Sequence, residues 1–288
     1  MQTPLVSVRL MVYNNEPYIR EAVESILMQK TNFKVEIVVG DDFSTDNSLQ
    51  IIKSYKDTEN ISFKILQREV GGEYWQDRQR FGRLHNFRNI IDNCSGKYIA
   101  LLDGDDYWTD PLKLQKQVDF LEVNPDFSGV FHNVNFVNEI NGGTSKQWRN
   151  YDYENTVFTE IDTIRILALF HSSSYLFRNQ IKEFPDWFYQ IFSGDMVLLT
   201  LISQNGKLKL IEGVMSVYRK NMNSITAKES IILYHKRRIK LIKHLNNQLN
   251  YAFNEKVIDV IQFHKKEIFK LKYPVFFRLK KRFMQRNG

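Results

Sequence analysis

"GKYIALLDGDDYW", residues 96–108, contains an apolar run from Tyr98 to Leu102 that empties into three carboxylates within four positions, Asp103, Asp105 and Asp106. A short continuous apolar run reads as a buried strand, and strands buried on both faces belong to parallel sheets covered by helices. The sequence upstream repeats the pattern. "LVSVRLMV" (5–12) reads as a strand that stops at the polar "YNNEP", followed by a helix across Tyr18 to Met28. "KVEIVVG" (34–40) is a second strand; it ends at "DDFSTDNS", where Ser44 is placed to cap a helix running to about Tyr55. "ISFKIL" (61–66) is a third strand and "LHNFRNIIDNC" (84–94) a third helix. Repeated β-α units predict an α/β fold with a mixed, mainly parallel sheet flanked by helices. Ligands of such sheets sit beyond the carboxyl ends of the strands, which is where "YNNE", "DDFSTD" and "DGDD" all fall.

Three aspartates this close cannot all stay ionised without a counter-charge, because like charges raise one another's pKa. A divalent cation resolves the conflict, and oxygen ligands with no neighbouring His or Cys favour Mg2+ or Mn2+ over zinc. The alternative is an Asp-rich turn capping "DPLKLQKQVDFL", a helix opened by Asp110 and Pro111. Asp41 and Asp42 add a second acidic cluster to the same edge, and one metal does not need five carboxylates. Carboxylates also accept from a nucleobase N–H or from ribose hydroxyls. A nucleotide with a diphosphate uses both clusters, base and ribose at one and metal-bound phosphates at the other.

The chain's 288 residues, 43% hydrophobic, can bury one large core or a core with an appendage. The single Cys94 excludes an internal disulfide, and a cytoplasmic setting is expected. No apolar stretch approaches the roughly 20 residues of a membrane span, and the N-terminus reads as neither a leader nor an anchor. The net charge of +7 is unevenly placed: residues 226–288 hold sixteen Lys/Arg and four Asp/Glu, a local +12, so residues 1–225 carry −5. The basicity belongs to the tail, so a partner for that tail is a separate question from the chemistry of the front.

In order and spacing, "VSVRLMVYNNEPYIREAVESILMQ", "VEIVVGDDFSTDNS" and "GKYIALLDGDDYWTDPLKLQKQVDFLE" resemble the nucleotide-binding half of the inverting family 2 glycosyltransferases, over about residues 5–225. The resemblance implies a GT-A-like domain over 1–225, with a nucleotide-sugar half to about 110 and an acceptor half beyond it, then a basic helical extension over 226–288. It implies that Asp41 contacts the base with Asp42 beside it, that Asp103 lies near the ribose, that Asp105 is the metal ligand and that Asp106 extends the motif. Arg88 and Asn89 resemble the "RN" that precedes the acidic strand near the nucleotide; an ion pair with one of the aspartates explains Arg88 equally. Inversion requires a carboxylate to take the acceptor's proton, and Asp195, opening the apolar run of "FSGDMVLLTLIS", matches the family's base. As the first-turn acid of a helix it also has an ordinary electrostatic role.

Many relatives carry a His just after the "YR" matched by Tyr218 and Arg219; this chain has Lys220 and Asn221. "KQWRN" (146–150) lacks the order of the processive QxxRW motif, so one sugar per visit is expected. "FHNVNFVNEINGG" (131–143) and "FHSSSYLFRN" (170–179) read as strands, with His171 and Ser172 expected to line the acceptor pocket. "KLKLIEGVMSVYR" (207–219) reads as a strand pair, and "EVGGEYWQDRQRFGR" (69–83) as a loop. In the tail, two basic helices are expected to pack on the domain or on a second copy, and "VFFRLKKRF" (275–283) suits an anionic membrane surface. No motif supports nucleic acid. The expected activity is metal-dependent transfer of a single sugar from a UDP-sugar to a glycan or lipid-linked hydroxyl of a bacterial surface polysaccharide. The rivals are a sugar nucleotidyltransferase, which the glycine-free "VYNNEPY" disfavours, and a catalytically inactive nucleotide-binding module.

Overall fold

The computed structural model describes residues 3–143, 145–149, 151, 154–165, 169–221 and 230–274. The chain opens with β1 (Val6–Val12), α1 (Ile19–Leu27), β2 (Val35–Asp41), α2 (Ser48–Lys53) and β3 (Ile61–Ile65). Two helices, α3 (Glu73–Phe81) and α4 (Arg83–Asp92), lead into β4 (Tyr98–Asp103) and the short β5 (Tyr107–Trp108). Then come α5 (Lys113–Val123), β6 (Phe127–Asn138), β7 (Ser145–Gln147), β8 (Val157–Phe158), α6 (Glu160–Arg165) and β9 (Leu176–Arg178). After them lie α7 (Gly194–Ser203), β10 (Lys207–Lys220), α8 (Ile231–Gln248) and α9 (Asn254–Lys272).

The strands form one sheet in the order β3-β2-β1-β4-β9-β6-β10-β5, with β7 on β6 and β8 on β10. The long ladders, β3 to β2 to β1 to β4 and β6 to β10, are parallel. β9 joins the two blocks by pairing antiparallel with β4 and β6. The mainly parallel mixed sheet expected from the sequence is therefore present. All seven residues of β2 are buried, as a strand with helices on both faces requires. Alternation sorts the side chains. Val8, Leu10, Ala100 and Leu102 join Val23 and Ile26 of α1 and Val118 of α5 in one core, while Ile99 and Leu101 face the other way onto Phe87 and Ile90 of α4 and Val197 and Leu201 of α7.

β1 and the segment leading into β4 approach closely at Gly96, where an added Cβ would stand 2.7 Å from the Ser7 amide nitrogen and 2.9 Å from the Val6 carbonyl carbon. These are backbone atoms and cannot rotate aside. Gly96→Ala is therefore expected to cost about 1–3 kcal/mol, as overpacking of a tight core does, measured as a lower urea midpoint at unchanged slope.

The C-terminal helices pack on the sheet domain. Leu241 and Leu245 of α8 enter the core built by α4 and α7, Trp187 stacks on His244 at 4.8 Å, and Lys240 Nζ donates to the Gln190 carbonyl at 2.7 Å. Ile164 of α6 packs with Ile242, Leu249 and Val257 in a smaller cluster. No helix among the described residues is long and apolar enough to cross a membrane, and residues 275–283, the expected membrane-surface segment, lie outside the described residues.

Four local expectations are corrected. Ser44 does not cap a helix: its hydroxyl is taken by the Asn14 amide at 2.9 Å and its own amide goes to Asp41 Oδ2 at 3.0 Å, so α2 starts at Ser48. Residues 73–81, expected as loop, form α3; none of its residues is buried, so it has no apolar stripe to read. The expected strand pair at 207–219 is the single β10, whose register shifts between Leu210 and Ser216, where Gly213 takes φ +117°. Of "FHSSSYLFRN", only Leu176–Arg178 is strand, and Ser172–Ser174 form a 3-10 turn.

Candidate active site

Side chains and amides lace together the loops that follow β1 and β2. Thr45 N donates to Asn14 Oδ1 at 2.8 Å, Asn15 N to Ser48 Oγ at 2.7 Å and Glu16 N to Asp46 Oδ2 at 3.0 Å. Asn14 and Phe43 adopt left-handed φ values of 51° and 62°, a conformation Asn tolerates far better than Phe. Much of the polar content of "YNNE" and "STDNS" thus builds the rim of the site.

At the end of β2, Asp41 accepts the Ser44 amide with Oδ2, while Oδ1 is buried with no partner among the described residues. Asp42 is claimed by α3: Arg78 Nε stands 2.8 Å from both of its oxygens, and Tyr74 donates to Oδ1 at 3.3 Å. Arg68 donates to the Asp41 carbonyl at 2.7 Å and to Asn89 Oδ1 at 2.9 Å, with its guanidinium 3.8 Å from the Tyr74 ring centroid. Arg88 turns away from the carboxylate edge and pairs with Asp92 at 3.2 Å, so of the "RN" dipeptide it is Asn89 that reaches this network.

At the end of β4 the three aspartates part company. Asp103 pairs with Arg9 at 2.6 Å and lies 3.4 Å from the Ser172 hydroxyl. Arg9 is wholly buried in β1 and also stacks on Phe87, its guanidinium 4.8 Å from the ring centroid. Asp105 accepts from Asn221 Nδ2 at 3.2 Å; burial, then the charge of Asp103, pushes its pKa up to about 6. Asp106 turns inward, 2% exposed, and accepts the Arg219 amide at 2.9 Å; burial followed by the two neighbouring aspartates holds its pKa well above the carboxylate range. His171 lies 3.8 Å from Asp106, stacks on Tyr218 at 4.1 Å, and is pushed down to about 4 by burial, so it is neutral at physiological pH. His171 and Ser172 thus sit against the aspartates of β4 rather than apart from them. Arg219 is held by ion pairs to Glu21 and Glu139 and donates to the Asp105 carbonyl.

Asp195 lies in the first turn of α7, on the same sheet face as Arg9 and Phe87. Gly194 lets that turn abut α4, since a Cβ there would stand 2.9 Å from Leu84 Cδ2. Burial raises the Asp195 pKa, with Asp103 adding to it; Arg238 of α8 and Arg83 of α4 pull the other way. Sequence reasoning missed Arg9, Arg68, Arg78 and Arg238. Of these only Arg9 left a signal: a lone charge at a buried strand position needs a partner.

Among the described residues no three His, Cys, Asp or Glu side chains are arranged to hold a metal by themselves. Asp105 alone fits a hard cation whose other ligands are phosphate oxygens and water, the usual arrangement for Mg2+ at nucleotide sites. Its raised pKa is the mark of a carboxylate that a nearby positive charge would stabilise.

Carboxylates at the ends of β2 and β4, facing a helix that opens on an acid, lie on the sheet of a GT-A glycosyltransferase. The chain superposes on residues 1–349 of S. aureus TarS, solved with UDP-GlcNAc, at a TM-score of 0.62 and 20% identity, covering 96% of this chain and 75% of that one. Against the mannosyltransferase PcManGT from Pyrobaculum calidifontis, solved with GDP-Man and Mn2+, the TM-score is 0.55 at 17% identity, covering 93% and 70%. Residues 7–179 match the family described as Glycosyl transferase family 2, and the chain belongs to it. An uncharacterized protein of Mycobacterium tuberculosis is 30% identical over 213 residues, 74% of this chain and 58% of that protein. This chain therefore spans little more than half the length of that curated relative. The Escherichia coli UDP-Glc:alpha-D-GlcNAc-diphosphoundecaprenol beta-1,3-glucosyltransferase WfaP is 34% identical over 123 residues, 43% of each chain.

Proposed function

We propose that this family 2 glycosyltransferase is inverting and metal-dependent, and moves one sugar at a time from a UDP-sugar to a hydroxyl of a glycan or lipid-linked glycan in bacterial surface polysaccharide synthesis. The observation that carries the reading is that Asp195, in the first turn of α7, lies near enough to the acidic end of β4 for the charge of Asp103 to act on it, with Asp105 two residues further along the chain. The partnerless Oδ1 of Asp41 suits the ring N–H of uracil, with Asp42 beside the ribose once Arg78 yields. Asp103 faces the ribose. Asp105 holds Mn2+ or Mg2+, which when bound offsets the negative charge growing on the departing diphosphate. Asp195 takes the proton of the acceptor hydroxyl as that oxygen attacks the anomeric carbon from the face opposite the nucleotide, so an α-linked donor yields a β-linked product. His171 and Ser172 border the acceptor.

The donor and acceptor halves occupy residues 1–225, and the basic segment over 226–288 meets an anionic membrane from the cytoplasmic side. Phe263 and Phe269 of α9, and Tyr273 directly after it, are exposed along a helix that also carries Lys265, Lys266 and Lys270, which supports that contact. The reading is similar in substrate class to what the name of WfaP states, a UDP-sugar and a diphosphoundecaprenol acceptor.

Calorimetric titration with UDP, GDP, dTDP and CMP, with and without Mn2+, tests the donor site. UDP is expected to bind with a Mn2+-dependent component that Asp105→Ala removes, a loss at least as large as the roughly 10–100-fold cost of removing an outer-shell partner at a metal site. Absence of binding by every nucleotide in folded protein with metal present would sink the transferase reading.

A further inference from the structure

The C-terminal helix α8 is set against the segment that leads into Asp195. Arg237 lies over the Phe192 ring at 3.8 Å, Lys240 holds the Gln190 carbonyl, and His244 stacks on Trp187. Between these contacts sits Arg238, 4% exposed, with its Nε buried and partnerless. Burying a guanidinium is expensive, and among the described residues no direct ion pair offsets it. The groups within reach of its charge are Tyr234, one turn away on α8, and Asp195, three residues beyond the Phe192 ring on which α8 is seated.

We propose that Arg238 is a positioning residue for the transfer reaction: α8 delivers a fixed buried cation to the neighbourhood of Asp195 and keeps that carboxylate ionised, so the segment after the transferase sheet completes the active site. The proposal rests on the reading of Asp195 as the base. The groups acting on Asp195 come from three elements and from the residue that precedes β9. Arg238 of α8 and Arg83 of α4 favour its charged form, Asp103 of β4 opposes it, and burial is the largest opposing effect; Tyr175, kept protonated chiefly by its own burial, faces it as well. Around Arg238 stand Tyr234 of its own helix and His264 of α9. Burial brings the Arg238 pKa down to about 10, so the residue stays cationic at neutral pH. Arg83 cannot replace it fully, because Arg83 also donates to the Phe192 carbonyl and lies over the Phe192 ring.

The test is a 13C-carboxyl NMR titration of Asp195 in the full chain, comparing wild type with Arg238→Gln and Arg238→Lys. The Asp195 midpoint is expected to rise by about one unit in Arg238→Gln, tenfold in its acid constant, and to stay near wild type in Arg238→Lys. The acid limb of UDP-sugar hydrolysis should move up with it, while UDP affinity with Mn2+ is unchanged. An unmoved midpoint in Arg238→Gln, with native circular dichroism and UDP affinity, would overturn the proposal. Should Arg238→Gln fail to fold, Arg238→Met removes the charge while filling the apolar surroundings and carries the same comparison. Retained turnover in Asp195→Asn would remove the base reading and leave the NMR result standing, so the two failures are distinguishable.

Discussion

Replacing Asp195 with Asn is expected to reduce transfer to an acceptor hydroxyl by about 10³-fold, the scale of a lost general base, with Mn2+-dependent UDP affinity at the wild-type level. The amide has the shape of the carboxylate but cannot take a proton, so packing around Leu84 and Phe188 at the start of α7 is preserved. The separation of effects is the diagnostic. Loss of kcat with nucleotide binding intact marks an interaction made only in the transition state, whereas loss of both would assign Asp195 to the donor side. The pH dependence follows from the direction of the Asp195 shift. A base acts in its ionised form, and burial raises the pH at which Asp195 ionises; activity therefore falls as pH is lowered through a value above the ordinary aspartate pKa of about 3.9. Profiles of kcat/KM between mildly acidic and neutral pH, using hydrolysis of a UDP-sugar, would show that limb in the wild type. Turnover in Asp195→Asn within tenfold of wild type would send the search for the base elsewhere.

The first four strands and the edge where the acids gather were legible because apolar runs and their polar ends are local properties of the chain. The roles within the edge were not. "DGDD" offers three equivalent carboxylates in sequence, and only the fold separates them: Asp103 onto Arg9, Asp105 toward Asn221, Asp106 inward to the Arg219 amide. Asn221, noted only as a departure from the family's His, turns out to donate to the carboxylate expected to bind metal. Arg88 and Asn89 are neighbours on a helix, so one turns to the network and the other to Asp92; the dipeptide alone cannot say which. α3 escaped notice because a helix that buries nothing has no periodicity, although it supplies the cation that occupies Asp42. Arg238 was the least legible of all. It is one of sixteen basic residues in a tail whose charge reads as solvated surface, and its burial depends on how α8 lands on the 187–192 segment.

Asp103→Asn is expected to destabilise the protein by about 2–3 kcal/mol, more than Arg9→Met, although the two remove the same ion pair. The asymmetry comes from burial. Arg9 is 0% exposed and Asp103 27%, so losing the carboxylate strands a cation beneath Phe87, whereas losing the cation leaves a carboxylate that water can still reach. Breaking a fully buried pair costs about 3–5 kcal/mol, and the partial exposure of Asp103 lowers that figure. Met in place of Arg9 keeps the apolar stem, the contact with the Phe87 ring and the place beside Met11, so its cost should stay near 1 kcal/mol, the scale of a volume-conserving core change. Urea midpoints at constant slope measure both, and the double variant should be more stable than additivity predicts, because it removes the stranded charge along with its lost partner. A larger loss in Arg9→Met than in Asp103→Asn would mean that the guanidinium contributes by packing rather than by charge. On the expected outcome Asp103 neutralises Arg9 below the sheet edge, and under the proposed donor reading the same carboxylate has a second task above it. Only Oδ1 is engaged by Arg9, and Oδ2, 3.4 Å from the Ser172 hydroxyl, is the oxygen left to turn toward a ligand. A strand-end aspartate can serve both sides because its two oxygens point to different ones, which an asparagine, with a single acceptor oxygen, cannot reproduce.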